Sequence, residues 1–262
     1  MSLDFSDKVV IISGSSSGIG QAAAVLFSRL GASVTIHGRS EERLKNTLNL
    51  ILGNGVPQNR VLIVKGSITD SDVQKALIEK SVQKFGKIDV LVNNAGSICE
   101  TGQRTMEEFD ACINLTLKVP IAITELAIPY LEKTKGCIVN VSSISSMQTF
   151  PNLPFDGIAK AGLDHFTRNY AAILAPKGIR INNVNPGMTD TPALSQMCET
   201  PEETKQMTDF YISQIPLGRP AKPEEMAQFL AFVTSDKASY MTGQNVVVDG
   251  GAMIHLTRIK FD

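Results

Sequence analysis

Short apolar runs without polar alternation recur along the chain at residues 8–13 (KVVIIS), 33–37, 60–65 (RVLIVK), 88–92 (IDVLV), 136–141, 180–184 and 245–248 (NVVV). A strand with no polar face must be covered on both sides, which is the situation of a parallel sheet held between two layers of helices. Between these runs lie segments with helical spacing of apolar positions, at 21–30, 41–52, 70–85, 105–132, 154–175 and 223–234. Gly31 ends the first, Thr69 or Ser71 can cap the third, and Pro154 suits a first helical position. Strands alternating with helices predict an α/β fold, a doubly wound parallel sheet of seven strands in the order 3-2-1-4-5-6-7 with right-handed crossovers.

Composition narrows the picture without altering it. A chain of 262 residues that is 43% hydrophobic can bury one large core, so 1–262 is expected to be a single domain. The net charge is -1 with Lys and Arg scattered singly, which argues against nucleic acid or an anionic membrane as partner. No apolar run approaches the about 18 residues of a spanning helix, and the first residues lack a basic and apolar leader, so a soluble, cytoplasmic protein is expected. Cys99, Cys112, Cys137 and Cys198 are widely spaced and form no CxxC or Cys/His cluster, so they are expected to be reduced thiols with no metal bound.

The candidate chemistry lies at the carboxyl ends of the strands. After the first run comes GSSSGIG at 14–20 (Gly14, Ser16, Ser17, Gly18, Ile19, Gly20), leading into a helix. Strand, glycine turn and helix start in that order make an anion site, because small residues let the backbone approach phosphate and the free N–H groups point at it. About 20 positions further on, where an acidic residue would bind a ribose diol, stands Arg39, which favours a 2′-phosphate and hence NADP over NAD; pairing of Arg39 with Glu41 or Glu42 is the plainer alternative. The fourth run ends in NNAG, where Asn93, Ala95 and Gly96 can tie neighbouring loops together and leave room for a flat ligand. Asn114 interrupts an apolar helix and serves either a backbone bend or a relay beneath the site. Residues 190–215, bounded by prolines and carrying Met197, Met207, Phe210 and Tyr211, suggest a substrate lid or, more plainly, an amphipathic helix pair.

Together these motifs resemble the short-chain dehydrogenase/reductase family, a Rossmann-fold family, over nearly the whole length: GSSSGIG at 14–20, NNAG at 93–96, Asn114, NPG at 185–187 and the terminal VVVDGG. The resemblance implies hydride transfer between a nicotinamide and a small, modestly apolar ketone or alcohol, in a homotetramer or homodimer built through helices 105–132 and 154–175. It implies that Ser143 orients the substrate oxygen, Lys160 bonds the nicotinamide ribose, Asn114 holds a relay water, and Pro186, Gly187, Thr189 and Thr191 clasp the carboxamide. Ser13 replaces the usual Thr and keeps its hydroxyl. Ser67 stands where the family has an adenine-binding Asp.

One departure is severe. The family's Y-x-x-x-K is here Asp156-Gly-Ile-Ala-Lys160, and none of Tyr130, Tyr170, Tyr211 and Tyr240 lies between Ser143 and Lys160. A reductase acid delivers a proton to a forming alkoxide; a carboxyl with an ordinary pKa of about 3.9 has none to give at pH 7. Asp156 also has a structural reading, as a first-turn acid four residues before Lys160, where an ion pair forms readily. Three readings stay open: an oxidoreductase impaired at Asp156, an NADP-binding pseudoenzyme that senses or scaffolds, and an assembly subunit.

Overall fold

A computed structural model describes residues 3–97, 99–101, 103–193 and 200–254. The strand Val9–Ile12 (β1) is buried on both faces and pairs in parallel with Ser33–Gly38 (β2) on one side. On its other side it pairs with a strand far along the chain, Val90–Asn93 (β4), and Val61–Lys65 (β3) lies outside β2. Cys137–Val141 (β5), Arg180–Pro186 (β6) and Asn245–Val248 (β7) continue from β4, giving one seven-stranded parallel sheet in the order β3-β2-β1-β4-β5-β6-β7. That is the order expected from the apolar runs.

The period of two along a strand explains how both faces fill. Val10 and Ile12 enter one core and Ile11 the other. The first core is completed by Phe27 of Gly18–Arg29 (α1), by Leu44 and Ile51 of Glu41–Gly53 (α2), and by Leu230 of a late helix. The second takes Leu77 of Ser71–Phe85 (α3) and apolar residues of the helices that follow β4 and β5. Asp70 caps α3, accepting a bond from the Asp72 amide at 2.8 Å; neither Thr69 nor Ser71, the expected candidates, does so.

The expected helix 105–132 changes pitch midway. Met106–Ile113 (α4) starts at a capping box of Thr105 and Glu108, passes into a wider π turn at Asn114–Lys118, and resumes as Val119–Thr134 (α5). Pro120 has no N–H for the carbonyl four residues back and its ring crowds that carbonyl, so the wider turn relieves a clash an α-turn would suffer. Met106–Thr134 is long and apolar enough to cross a membrane, but Val119, Ile123, Ala127 and Leu131 pack into the second core. Beyond β5 run Pro154–Leu174 (α6), Pro201–Ser213 (α7) and Pro223–Thr234 (α8), the last supplying Leu230.

Candidate active site

A crevice of about 390 Å³ opens at the carboxyl edge of the sheet, where β1 and β4 diverge. Gly14, Ser16, Ser17, Gly18 and Ile19 form one wall, Arg39 and Ser67 another, and Ala95, Gly96 and Thr191 a third. Gly14 has φ of +66° and Gly18 of +55°, conformations a side chain would strain. A Cβ at Gly14 would stand 2.6 Å from the Ala95 Cα, and one at Gly20 would stand 2.4 Å from the Asn94 amide nitrogen. The glycines therefore let two loops touch and leave the backbone facing the crevice.

At the start of α1 the cap residue Ser17 makes no side-chain cap bond and the first turn holds no acid. Those amides are free for an anionic ligand. Ser13 fixes the opposite wall, its hydroxyl accepting from the amides of Asn94 and Ala95, each at 3.0 Å. The Asn94 side chain donates to the carbonyls of Ser13 and Gly14, both at 3.0 Å. Arg39 is exposed at the rim and belongs to no ion pair among the described residues; Glu41, one of its two plainer partners, is taken by Lys65 at 2.7 Å. An uncapped helix start and close-packed glycines fit a dinucleotide phosphate.

His37, also on the crevice wall, is 98% buried; its Nδ1 accepts from the Gly14 amide at 3.1 Å and its Nε2 has no hydrogen-bond partner. Burial pushes its pKa from 6.5 down to about 4, with Arg39 adding to the effect and Gly66 opposing it. The unfolded chain binds this proton below about pH 6.5 and the folded chain only below about pH 4. Stability is thus fully present above pH 6.5 and is lost as pH falls through this window, by up to about 3 kcal/mol. Denaturant midpoints measured between pH 7 and pH 4 should fall in the wild type and fall less in His37→Thr; parallel curves would rule His37 out as the cause.

Beside the crevice, β5 ends at the Ser-rich loop. Ser142 and Ser143 point apart: Ser142 is buried and donates to Asp164 at 2.6 Å, whereas Ser143 is half-buried and its hydroxyl accepts from the Ser145 amide at 3.1 Å. Lys160 reaches from α6 to donate to the Val141 carbonyl at 2.8 Å, and Val141 lines the crevice. Burial lowers the Lys160 pKa, while Asp156 and Asp164 oppose the shift. The ion pair expected between Asp156 and Lys160 is not formed. The lysine is extended toward β5, and the Asp156 carboxylate instead accepts from the Ser145 hydroxyl at 3.1 Å. Glu100, from the loop after β4, accepts from the Asp156 amide at 2.7 Å and so serves as the cap that Leu153 does not provide.

Behind the loop, the buried Asp164 carboxylate gathers four side-chain donors. They are Ser142 at 2.6 Å, Asn183 at 2.8 Å, Asn185 at 3.0 Å and Asn245 at 3.0 Å. Asn185 also donates to the Ser143 carbonyl at 3.1 Å, so the network holds the Ser143 loop against β6.

Of the residues singled out in the sequence, Gly14, Ser16, Ser17, Gly18, Ile19, Arg39, Ser67, Ala95, Gly96 and Thr191 meet at the crevice. Ser143, Asp156 and Lys160 adjoin it. Asn93 does not face it: its side chain is buried and donates to Asn140 at 2.9 Å and Thr124 at 3.2 Å, because in the alternation along β4 it is Asn94 that turns to the loop. Asn114 opens the π turn. Pro186 and Gly187 end β6 against Val248, and a Cβ at Gly187 would lie 2.8 Å from the Asp249 Cα. Thr189 is buried and bonds the Gly187 carbonyl at 3.2 Å. Sequence reasoning missed His37, Glu100 and Asp164. Asp164 carried the signal that drew attention to Asn114, a polar residue among apolar helix neighbours.

Of the expected lid, Met197 and Cys198 lie outside the described residues. Its described parts are 190–193, of which Thr191 lines the crevice, and 200–215, which include α7; that helix starts at a Thr200–Glu203 capping box, buries none of its residues, and touches the loop beside the site through Tyr211 and Phe150, ring centres 6.2 Å apart.

Sheet order, glycine corner and the Ser143–Lys160 edge define a dinucleotide-binding α/β protein of the oxidoreductase type. Residues 14–253 match the family profile described as enoyl-(acyl carrier protein) reductase. The chain is 40% identical over 250 residues to the 3-oxoacyl-(acyl-carrier-protein) reductase FabG of Thermotoga maritima, covering 94% of this chain and 98% of that one. It is 33% identical over 253 residues to the meso-2,3-butanediol dehydrogenase of Serratia marcescens, covering 95% of each. Among solved structures, a short-chain dehydrogenase/reductase of unknown function from Caenorhabditis elegans, crystallised with cofactor, superposes with a TM-score of 0.92 at 40% identity over 97% of both chains. A glucose dehydrogenase of Caenorhabditis elegans gives 0.83 at 40% identity, over 96% of this chain and 99% of that one. The chain belongs to the short-chain dehydrogenase/reductase family.

Proposed function

We propose that this protein is an NADP(H)-dependent short-chain oxidoreductase for small, modestly apolar substrates, with ordinary ketone reduction depressed by Asp156. The observation that carries the cofactor reading is Arg39, exposed and in no ion pair among the described residues, at the rim of a crevice whose opposite wall is an uncapped helix start. A guanidinium there matches the geometry of a phosphate and has no ribose-binding acid beside it. When bound, the nicotinamide gives or takes the hydride.

The chain's own groups do the rest. The Ser143 hydroxyl is placed to donate to a substrate oxygen, and Lys160 keeps two N–H donors beyond its bond to Val141 for the ribose side. The stretch 190–215, which includes α7, serves as the substrate lid. Pro186, Gly187, Thr189 and Thr191 frame the nicotinamide end, and Asn114 opens the π turn beneath it. The protein works in the cytoplasm as a homotetramer or homodimer.

The second reading, a dinucleotide-binding sensor without turnover, is favoured by Asp156 itself, which cannot play the part of a phenol. Fluorescence titration with NADPH, followed by a carbonyl panel, separates the two. Binding with measurable turnover supports the enzyme; binding with none supports the sensor. Arg39→Ala should weaken NADPH binding at least about tenfold and leave NADH binding little changed, as loss of a charge-assisted bond to phosphate requires. Equal loss for both cofactors, or none, would overturn the role given to Arg39.

A further inference from the structure

The site beside the crevice gathers two carboxylates, Glu100 and Asp156, with the buried Lys160 close enough for Asp156 to favour its charge. Glu100 is held by the Asp156 amide through one oxygen at 2.7 Å, while its other oxygen is buried with no hydrogen-bond partner among the described residues. Asp156 receives only the Ser145 hydroxyl, and neither carboxylate belongs to an ion pair among the described residues. Lys160 spends its contact on the Val141 carbonyl, and burial disfavours its charge. Arg104 donates to the Pro151 carbonyl at 3.2 Å and is exposed, as is Arg39, whose charge is felt at Cys99. The field is felt around it: burial pushes the Cys112 thiol up to about 12, and the neighbouring Cys99, Glu100 and Asp156 add to the shift. A buried carboxylate oxygen without a donor is costly and calls for an N–H from a ligand.

From this we infer that the substrate reduced at this site is a carbon–nitrogen double bond carried as its cation, an iminium, with the Asp156 and Glu100 carboxylates facing the nitrogen. The inference rests on the hydride-transfer reading above and changes its acceptor. Adding a hydride to a ketone leaves an alkoxide that must collect a proton, which Asp156 is ill suited to give and which two carboxylates would repel. Adding a hydride to a protonated imine forms one C–H bond, moves the C=N π pair onto nitrogen, and yields a neutral amine; no proton is taken from the protein. What the site must do is keep the nitrogen protonated, and anionic neighbours favour that form. The replacement of a phenol by a carboxylate then suits the acceptor.

The test uses a matched set: the cyclic imine methylpyrroline, the ketone methylcyclopentanone, and their reduced forms methylpyrrolidine and methylcyclopentanol. With NADPH, kcat/KM for the imine should exceed that for the ketone at least about tenfold. Independently of turnover, calorimetric titration of the cofactor-free protein should show methylpyrrolidine, as its ammonium ion, binding at least about tenfold tighter than methylcyclopentanol. Asp156→Asn should erase that preference while NADPH affinity is kept, and Glu100→Gln provides a second variant should the first unfold. Ketone reduced in preference to imine, or ammonium and alcohol bound alike, overturns the inference and leaves the oxidoreductase reading in place. Ammonium preference without reduction of either acceptor upholds the cation site and overturns hydride transfer. Absence of NADPH binding overturns the cofactor reading alone.

Discussion

Asp156→Tyr is expected to raise kcat/KM for reduction of a simple ketone by about 10²- to 10⁴-fold, the span ordinarily supplied by general acid catalysis. The groups a tyrosine at this position would need are already in place. Lys160 lies one turn further along α6 and is held against the end of β5, and the half-buried Ser143 hydroxyl is fixed by the Ser145 amide at 3.1 Å. A cationic lysine lowers the pKa of a phenol beside it toward neutral pH, so the phenol gives its proton more readily to an alkoxide. Residue 156 is not on the wall of the dinucleotide crevice, so NADPH affinity should change little. Single-turnover rates and NADPH titrations, compared between wild type and variant, separate chemistry from binding. A variant that folds, binds NADPH and is no faster on ketones would show that a part besides the proton donor is missing. By the same reasoning, the variant's preference for an imine over a ketone should shrink.

Asp164→Leu should cost about 3–5 kcal/mol of stability, the range for removing one side of a buried charged network. The substitution is close in shape, so the loss is not a matter of volume. It leaves the side chains of Ser142, Asn183, Asn185 and Asn245 without their common acceptor. These come from the loop after β5 and from β6 and β7, so the damage spreads over one side of the sheet. Chemical denaturation should show a lower midpoint with an unchanged slope. A loss under about 1 kcal/mol would mean that the amides find other partners. Because Asn185 also grips the Ser143 carbonyl at 3.1 Å, the folded variant should bind NADPH but position substrate poorly.

Much of this arrangement could be read before any coordinates. Seven unalternating apolar runs require two-sided cover, and with handedness they leave only a few doubly wound orders, of which the expected one is formed. The glycine corner, Arg39 and the Ser143–Lys160 edge announced themselves because local rules, such as a strand running into a helix start, act over a few residues. What stayed hidden acts over distance. Glu100 meets Asp156 across 56 residues, from a loop with no periodicity, and His37 reads as one more strand residue until β1 is placed beside it. The ion pair expected of Asp156 and Lys160 failed because spacing on a helix says who could meet, whereas burial of the lysine stem against β5 decided where its ammonium went. Asn93 and Asn94 are alike on paper, and only the direction of β4 separates a core amide from a loop clamp.

The central place of β1 sets limits on dissecting this protein. Its amide at Val9 is held by Asp89, 80 residues later, and Gly14 rests against Ala95. The chain's first forty residues carry the whole phosphate-binding signature, yet one wall of the crevice belongs to the far end of another strand. An amino-terminal fragment would hold the motif without the pocket, and a truncation ending before β4 would leave an open, apolar strand edge in its stead. Here recognition of a dinucleotide belongs to the completed sheet and is divisible into no smaller module.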